Sequence, residues 1–89
     1  MALYVGATYA NLEEETAKGE GEHMHAMLNI MGCNVTSHPA IIESIRIEFH
    51  NVLQKSDYSS KTKLVRAEEY FNLVGENIDS SYAQFCNII

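Results

Sequence analysis

Apolar positions along the chain fall into helical stripes separated by short polar breaks. Val5, Tyr9, Leu12 and Thr16 recur at spacings of four, three and four, which is one face of a helix. Glu13, Glu14 and Glu15 then fall mostly toward water. Gly19-Glu20-Gly21 interrupts this helix, because two glycines so close favour a turn. Met24, Met27, Leu28 and Met31 make a second stripe, with Gly32 placed as its C-terminal cap. Cys33 to His38 is polar and turn-like. Pro39 suits the first turn of a third helix, where its missing N–H costs nothing, with Ser37 or His38 as N-cap.

Ile42, Ile45, Phe49, Val52 and Leu53 form the stripe of that third helix, and Ile41 and Ile47 broaden it. A helix apolar over so wide a face is expected at the centre of the fold. Ser56-Asp57-Tyr58-Ser59-Ser60 is a connection rich in turn and cap residues. Leu64, Ala67, Phe71 and Val74 are in phase on a fourth helix, with Gly75 as its stop. Asp79 or Ser80 then caps a short last helix carrying Tyr82, Phe85, Cys86 and Ile89. No strand-length alternation, internal repeat or low-complexity tract is present. The pattern predicts an all-α fold, a compact bundle of four to five short helices, with Ile45, Phe49, Val52, Leu28 and Leu64 among its most buried residues.

Eighty-nine residues make one domain, too small for a Rossmann fold, a barrel or a two-domain enzyme. The core holds roughly fifteen apolar side chains, so the margin over chain entropy is narrow. A disulfide, or a homodimer using the wide face of the third helix, would widen it. Six basic against 12 acidic residues give a net charge of −6. Only Lys61, Lys63 and Arg66 cluster, which disfavours phosphate-backbone binding and anionic membrane surfaces. No apolar run reaches 18 residues, so no membrane span is expected, and Met1-Ala2-Leu3 lacks the basic n-region and long apolar stretch of a signal peptide.

The stretch from Asn11 through Ala17-Lys18-Gly19-Glu20-Gly21-Glu22 to Met24 is a helix ending in A-x-G-x-G-E. An amphipathic helix closed by Met31-Gly32 follows it. This arrangement resembles a family of small bacterial envelope proteins, domain of unknown function 3015. The likeness continues through Ala26 to Gly32, the helix from Pro39 to Leu53 with its Phe49-His50-Asn51 stretch, and the Ser56-Asp57-Tyr58 turn, over roughly residues 7–60. Members of that family carry a signal peptide and a further N-terminal segment. The resemblance therefore implies a mature fragment lacking both, a periplasmic location and a helical fold, and it implies no activity. An oxidising envelope also implies a bridge between Cys33 and Cys86, the only two cysteines.

Candidate chemistry concentrates in two places. Gly19, Glu20, Gly21 and Glu22 let the chain reverse between two helices and set carboxylates near a helix N-terminus, where they complement the dipole. A binding role for Glu20 or Glu22 is the alternative. His23, Met24, His25, Met27, Met31 and Cys33 offer imidazole, thioether and thiolate donors, the set a soft metal prefers. A helix cannot turn them all toward one ion, and methionines at this spacing are more simply core residues. Glu22-x-x-His25 and Glu20-x-x-His23 match a di-iron spacing, but no second such helix exists in the chain. Cys33 with His38 is the only nucleophile pair worth naming, and Asn34 alone could orient it. There is no P-loop, no GxSxG and no zinc-ligand spacing. The sequence thus predicts a protein that is not an enzyme and needs no cofactor. It predicts a non-catalytic protein-interaction or structural module with a protein partner, Tyr4, Tyr9, Tyr58, Tyr70 and Tyr82 supplying amphipathic surface. The alternative is a copper- or zinc-binding periplasmic protein using the stretch from His23 to Cys33.

Overall fold

Four of the stripes become the buried edges of four α-helices. The computed structural model describes residues 2–55 and 57–86; Ser56 of the polar connection and Ile89 of the expected last helix lie outside the described residues. Helix α1 is Ala2–Lys18, α2 Glu22–Ile30, α3 His38–Leu53 and α4 Lys63–Asn77. Short 3-10 turns at Val35–Ser37 and Tyr58–Ser60 lead into α3 and α4, and Thr62 caps α4 by accepting the Val65 N–H. Among the described residues there is no strand, so the protein is an all-α bundle.

The α1 stripe of Val5, Tyr9, Leu12 and Thr16 is buried, as is the α2 stripe of Met24, Met27, Leu28 and Met31. Ile41, Ile42, Ile45 and Phe49 of α3 and Ala67, Tyr70 and Val74 of α4 complete the core. Helix α3 was expected at the centre; it shares that place with α1, and each of the two touches all three other helices. The apolar breadth of α3, which suggested a homodimer, is largely consumed inside the protomer, leaving Ile47 and Leu53 outward.

Three aromatic rings lock the centre edge to face. Tyr70 meets Tyr9 at 5.8 Å and Phe49 at 5.5 Å between centroids. Their polar tips need partners because they are buried. The Tyr70 hydroxyl lies 2.8 Å from Thr16 Oγ1, which donates in turn to the Leu12 carbonyl or to Tyr70. The Tyr9 hydroxyl lies 2.8 Å from that of Tyr58, and Tyr58 donates to Glu13. Arg66 covers the Tyr58 ring at 4.6 Å. The connection between α3 and α4 is thereby fastened to α1.

Two expectations fail for identifiable reasons. Leu64 is 76% exposed, although it is in phase with Ala67, Phe71 and Val74. The buried face of α4 runs through Ala67, Tyr70, Val74, Asn77 and Ile78, and at 100° per residue Leu64 lies about a quarter-turn from its centre. The residue that decides this face is Tyr70, a tyrosine expected at the surface. Gly75, in turn, does not stop α4. Burial of Val74, Asn77 and Ile78 outweighs the roughly 1 kcal/mol a glycine costs inside a helix. In place of a separately capped fifth helix, the chain widens into one π-helical turn, Ile78–Tyr82, then tightens into a 3-10 turn, Ala83–Phe85.

This irregular tail delivers Cys86 to Cys33, where a disulfide joins them across a sequence separation of 53. Asn34 N–H donates to the Phe85 carbonyl beside it. Closing a loop of that length is worth about 4 kcal/mol in the chain-entropy model. Replacing both cysteines by serine should lower unfolding free energy by about 2–5 kcal/mol in urea titrations; an unchanged midpoint would show that the tail is held by packing alone.

Burial of the ring raises the Tyr70 pKa from 10.0 to about 12, and burial likewise raises those of Tyr9, Tyr58 and Tyr4. A group that holds its proton more tightly when folded contributes fully below its unfolded pKa, and that contribution is lost as pH climbs through the folded value. Stability should therefore fall between pH 10 and about 12. Tyr70→Phe should flatten the loss without abolishing it, as followed by unfolding midpoints on either side of pH 10.

Candidate functional site

The reversal between α1 and α2 is built from two glycines and a carboxylate. Helix α1 ends in a Schellman motif. Gly19 N–H donates to the Thr16 carbonyl at 3.2 Å and Glu20 N–H to the Glu15 carbonyl at 3.1 Å, with Gly19 at φ 86°. The same motif ends α2, where Gly32 N–H reaches Asn29 O and Cys33 N–H reaches Leu28 O. Arg46 of α3 lies over Gly19, its Cδ 3.2 Å from where a Cβ would sit, and its Nε is 3.5 Å from the Ala17 carbonyl. A cation therefore sits against the negative end of the α1 dipole.

Gly21 is the N-cap of α2 and has no side chain to cap with. Glu15 supplies the missing acceptor from across the turn. Its Oε1 accepts the Met24 N–H at 3.0 Å, and its Oε2 lies 2.5 Å from His23 Nδ1. The carboxylate sits where a Gly21 side chain would be, since a Cβ there would come within 2.1 Å of Glu15 Cδ. The two glycines of the motif are thus accounted for by helix ends. Glu15, expected to face water with Glu13 and Glu14, is instead the residue around which the turn is organised; Glu13 is held by Tyr58, and Glu14 alone is exposed. Glu20 and Glu22 line an open depression of about 530 Å³ together with Asn11, Glu14, Glu15, Lys18 and His25.

The donors between His23 and Cys33 do not meet. Met24 and Met27 are fully buried in the core and Met31 nearly so. His23 is engaged by Glu15, and the Cys33 sulfur is bonded to Cys86, so it offers no thiolate. Among the described residues no group of three or more His, Cys, Asp or Glu side chains is placed to hold a metal ion. The helical period explains this: the thioethers share the face that packs inward, while His23 and His25 leave α2 in different directions.

His25 instead finds His38, thirteen residues away at the start of α3, with Nδ1 atoms 2.8 Å apart. His38 is 1% exposed, and its Nε2 lies 3.4 Å from the Cys33 carbonyl. In the sequence His38 is a candidate helix cap or a partner for the Cys33 thiol, and nothing more. No local signal marks the pairing, because it exists only when α2 and α3 are packed together.

The Gly21–Glu15 relation is open to a double-mutant cycle. Glu15→Ala should cost about 1–2 kcal/mol, the usual value of a lost N-cap, and Gly21→Ala about 1–3 kcal/mol, from a methyl group set against the Glu15 carboxylate at a φ of 157° that side chains rarely adopt. Together they should cost about 1 kcal/mol less than the sum, because the atoms nearest the new methyl group all belong to the Glu15 side chain. Strict additivity in urea unfolding would show that Gly21 acts without Glu15.

Comparison with curated proteins and with solved structures finds no match. Among family profiles, the one described as protein of unknown function (DUF3015) matches residues 1–73, which takes in α1, α2, the reversal between them, α3 and most of α4. The chain, with its glycine–glutamate reversal, belongs to the DUF3015 family.

Proposed function

We propose that this protein is a non-catalytic helical module of the bacterial envelope that works by contacting another protein through its disulfide-closed end. The observation that carries this reading is the set of apolar side chains hung on the staple. Ile30 is 54%, Val35 70% and Phe85 38% exposed. They lie within three residues of Cys33 or next to Cys86, on segments that the disulfide and the Asn34–Phe85 hydrogen bond hold together. Large apolar groups kept in water on a covalently fixed frame are the expected anchor of a contact. Of the tyrosines expected to serve this purpose, Tyr9 and Tyr70 are core residues, and the Tyr4 hydroxyl donates to the His23 carbonyl.

The disulfide also supports the compartment, since a bridge between the chain's two cysteines persists where the surroundings are oxidising. It argues against nucleophilic catalysis as well, because Cys33 is no longer a thiol beside His38.

A photo-crosslinking residue placed at Val35 or Phe85 in the native host should give an adduct of discrete size. The same residue at Asn72, exposed on α4, should not. Adducts equally frequent at all three positions would remove the disulfide end as a contact site. Maleimide trapping of intact cells should leave Cys33 and Cys86 unlabelled until a reductant is added; direct labelling would rule out the oxidising compartment.

A further inference from the structure

The geometry points to a two-coordinate site for a monovalent soft cation, Cu(I) or its surrogate Ag(I), between the Nδ1 atoms of His25 and His38. This goes beyond the contact surface described above and is independent of it. The ring centroids are 5.0 Å apart and the Nδ1 atoms 2.8 Å, so both nitrogens lie between the rings, close to the line joining them. With ring planes only 28° apart, the rings meet edge to edge and not face to face. Two lone pairs directed along one line suit either a shared proton or a metal that takes two collinear donors.

His38 is prepared for this role. Its Nε2 faces the Cys33 carbonyl at 3.4 Å, and a carbonyl only accepts. A proton on Nε2 satisfies that carbonyl and leaves Nδ1 as a lone pair. A carbonyl holding the second nitrogen in this way is the usual support of a metal-bound histidine. His38 is buried and fixed, whereas His25 is exposed on α2 and borders the open depression, which gives an ion access from solvent. Glu15 and Glu22 border the same depression and favour a cation there.

The choice of metal follows from the donor count. Zinc sites are built from three or four protein ligands, and no such group exists among the described residues. Imidazole binds copper well, and a closed-shell monovalent ion is satisfied by two nitrogens in line. Metal–nitrogen bonds of about 2 Å require the two nitrogens to part by about 1 Å, a movement the exposed His25 side chain can make. In the empty pair His25 Nδ1–H donates to His38 Nδ1. On capture His25 carries its proton on Nε2 instead, both Nδ1 lone pairs bind the ion, and the neutral pair gains one positive charge with no net release of protons.

Silver nitrate in chloride-free buffer, and Cu(I) held by a chromophoric chelator under anaerobic ascorbate, are the probes for the whole chain. Long-range proton–nitrogen spectra should show the Nδ1 signals of His25 and His38 shifting together at one equivalent, with both Nε2 atoms protonated. His25→Ala should weaken binding at least about 100-fold, the upper end of what loss of even an outer-shell partner costs, with an unchanged circular-dichroism spectrum. His23→Ala and His50→Ala should bind as the native chain does. Undiminished affinity in His25→Ala, shifts confined to His23, His50 or the methionines, or no binding above that of buffer would each overturn the site.

Discussion

Helix α2 is nine residues long, too short to persist in water on propensity alone. The rest of the structure depends on how its two ends are held. At the N-terminus the carboxylate of Glu15 accepts the Met24 N–H that Gly21 cannot satisfy. At the C-terminus Gly32 turns the chain and Cys33 is bonded to Cys86. Between these clamps α2 and its C-cap Met31 place three methionines and a leucine into the core. The methionines fill core space beside α1 and α3, a task suited to an unbranched and adaptable side chain. Release of either clamp would free the edge that α2 lends to a small core, and a domain of this size has few other contacts in reserve.

The interior is more polar than its stripes suggest. Thr16 is completely buried, as is most of Tyr70, and each answers the other's hydrogen-bonding need. Hydroxyl pairs of this kind do little for net stability, but they penalise any register that separates them, since a buried hydroxyl without a partner is costly. The Tyr9–Tyr58–Glu13 chain acts in the same sense on the loop before α4. Asn77 shows the limit of this economy: its Nδ2 donates to Ser44 and Glu48, while its Oδ1 is buried without a partner among the described residues.

The disulfide ties the proposed contact surface to the proposed cation site. Cys33 stands beside Phe85 and Asn34 on one side, and its carbonyl orients His38 on the other. One covalent bond therefore holds both the apolar groups around the staple and the carbonyl that faces a buried histidine at the start of α3. That proximity comes from chain reversals at Gly32 and at the π-helical turn, not from any sequence motif.

By itself the sequence determined the helical class, the inward faces of α1 and α2, the breaks at Gly19, Gly21 and Gly32 and the family likeness, because these follow from spacing and backbone chemistry within one turn or one helix. Only the tertiary structure decided which carboxylate caps α2, which histidine meets His25, and that Tyr70 and not Leu64 belongs to the core. Glu15, His38 and Tyr70 act on residues 8, 13 and 54 positions away. A local pattern carries no record of such distances. A carboxylate, an imidazole or a phenol is polar by composition, and it enters the interior only where folding brings it a partner that replaces water.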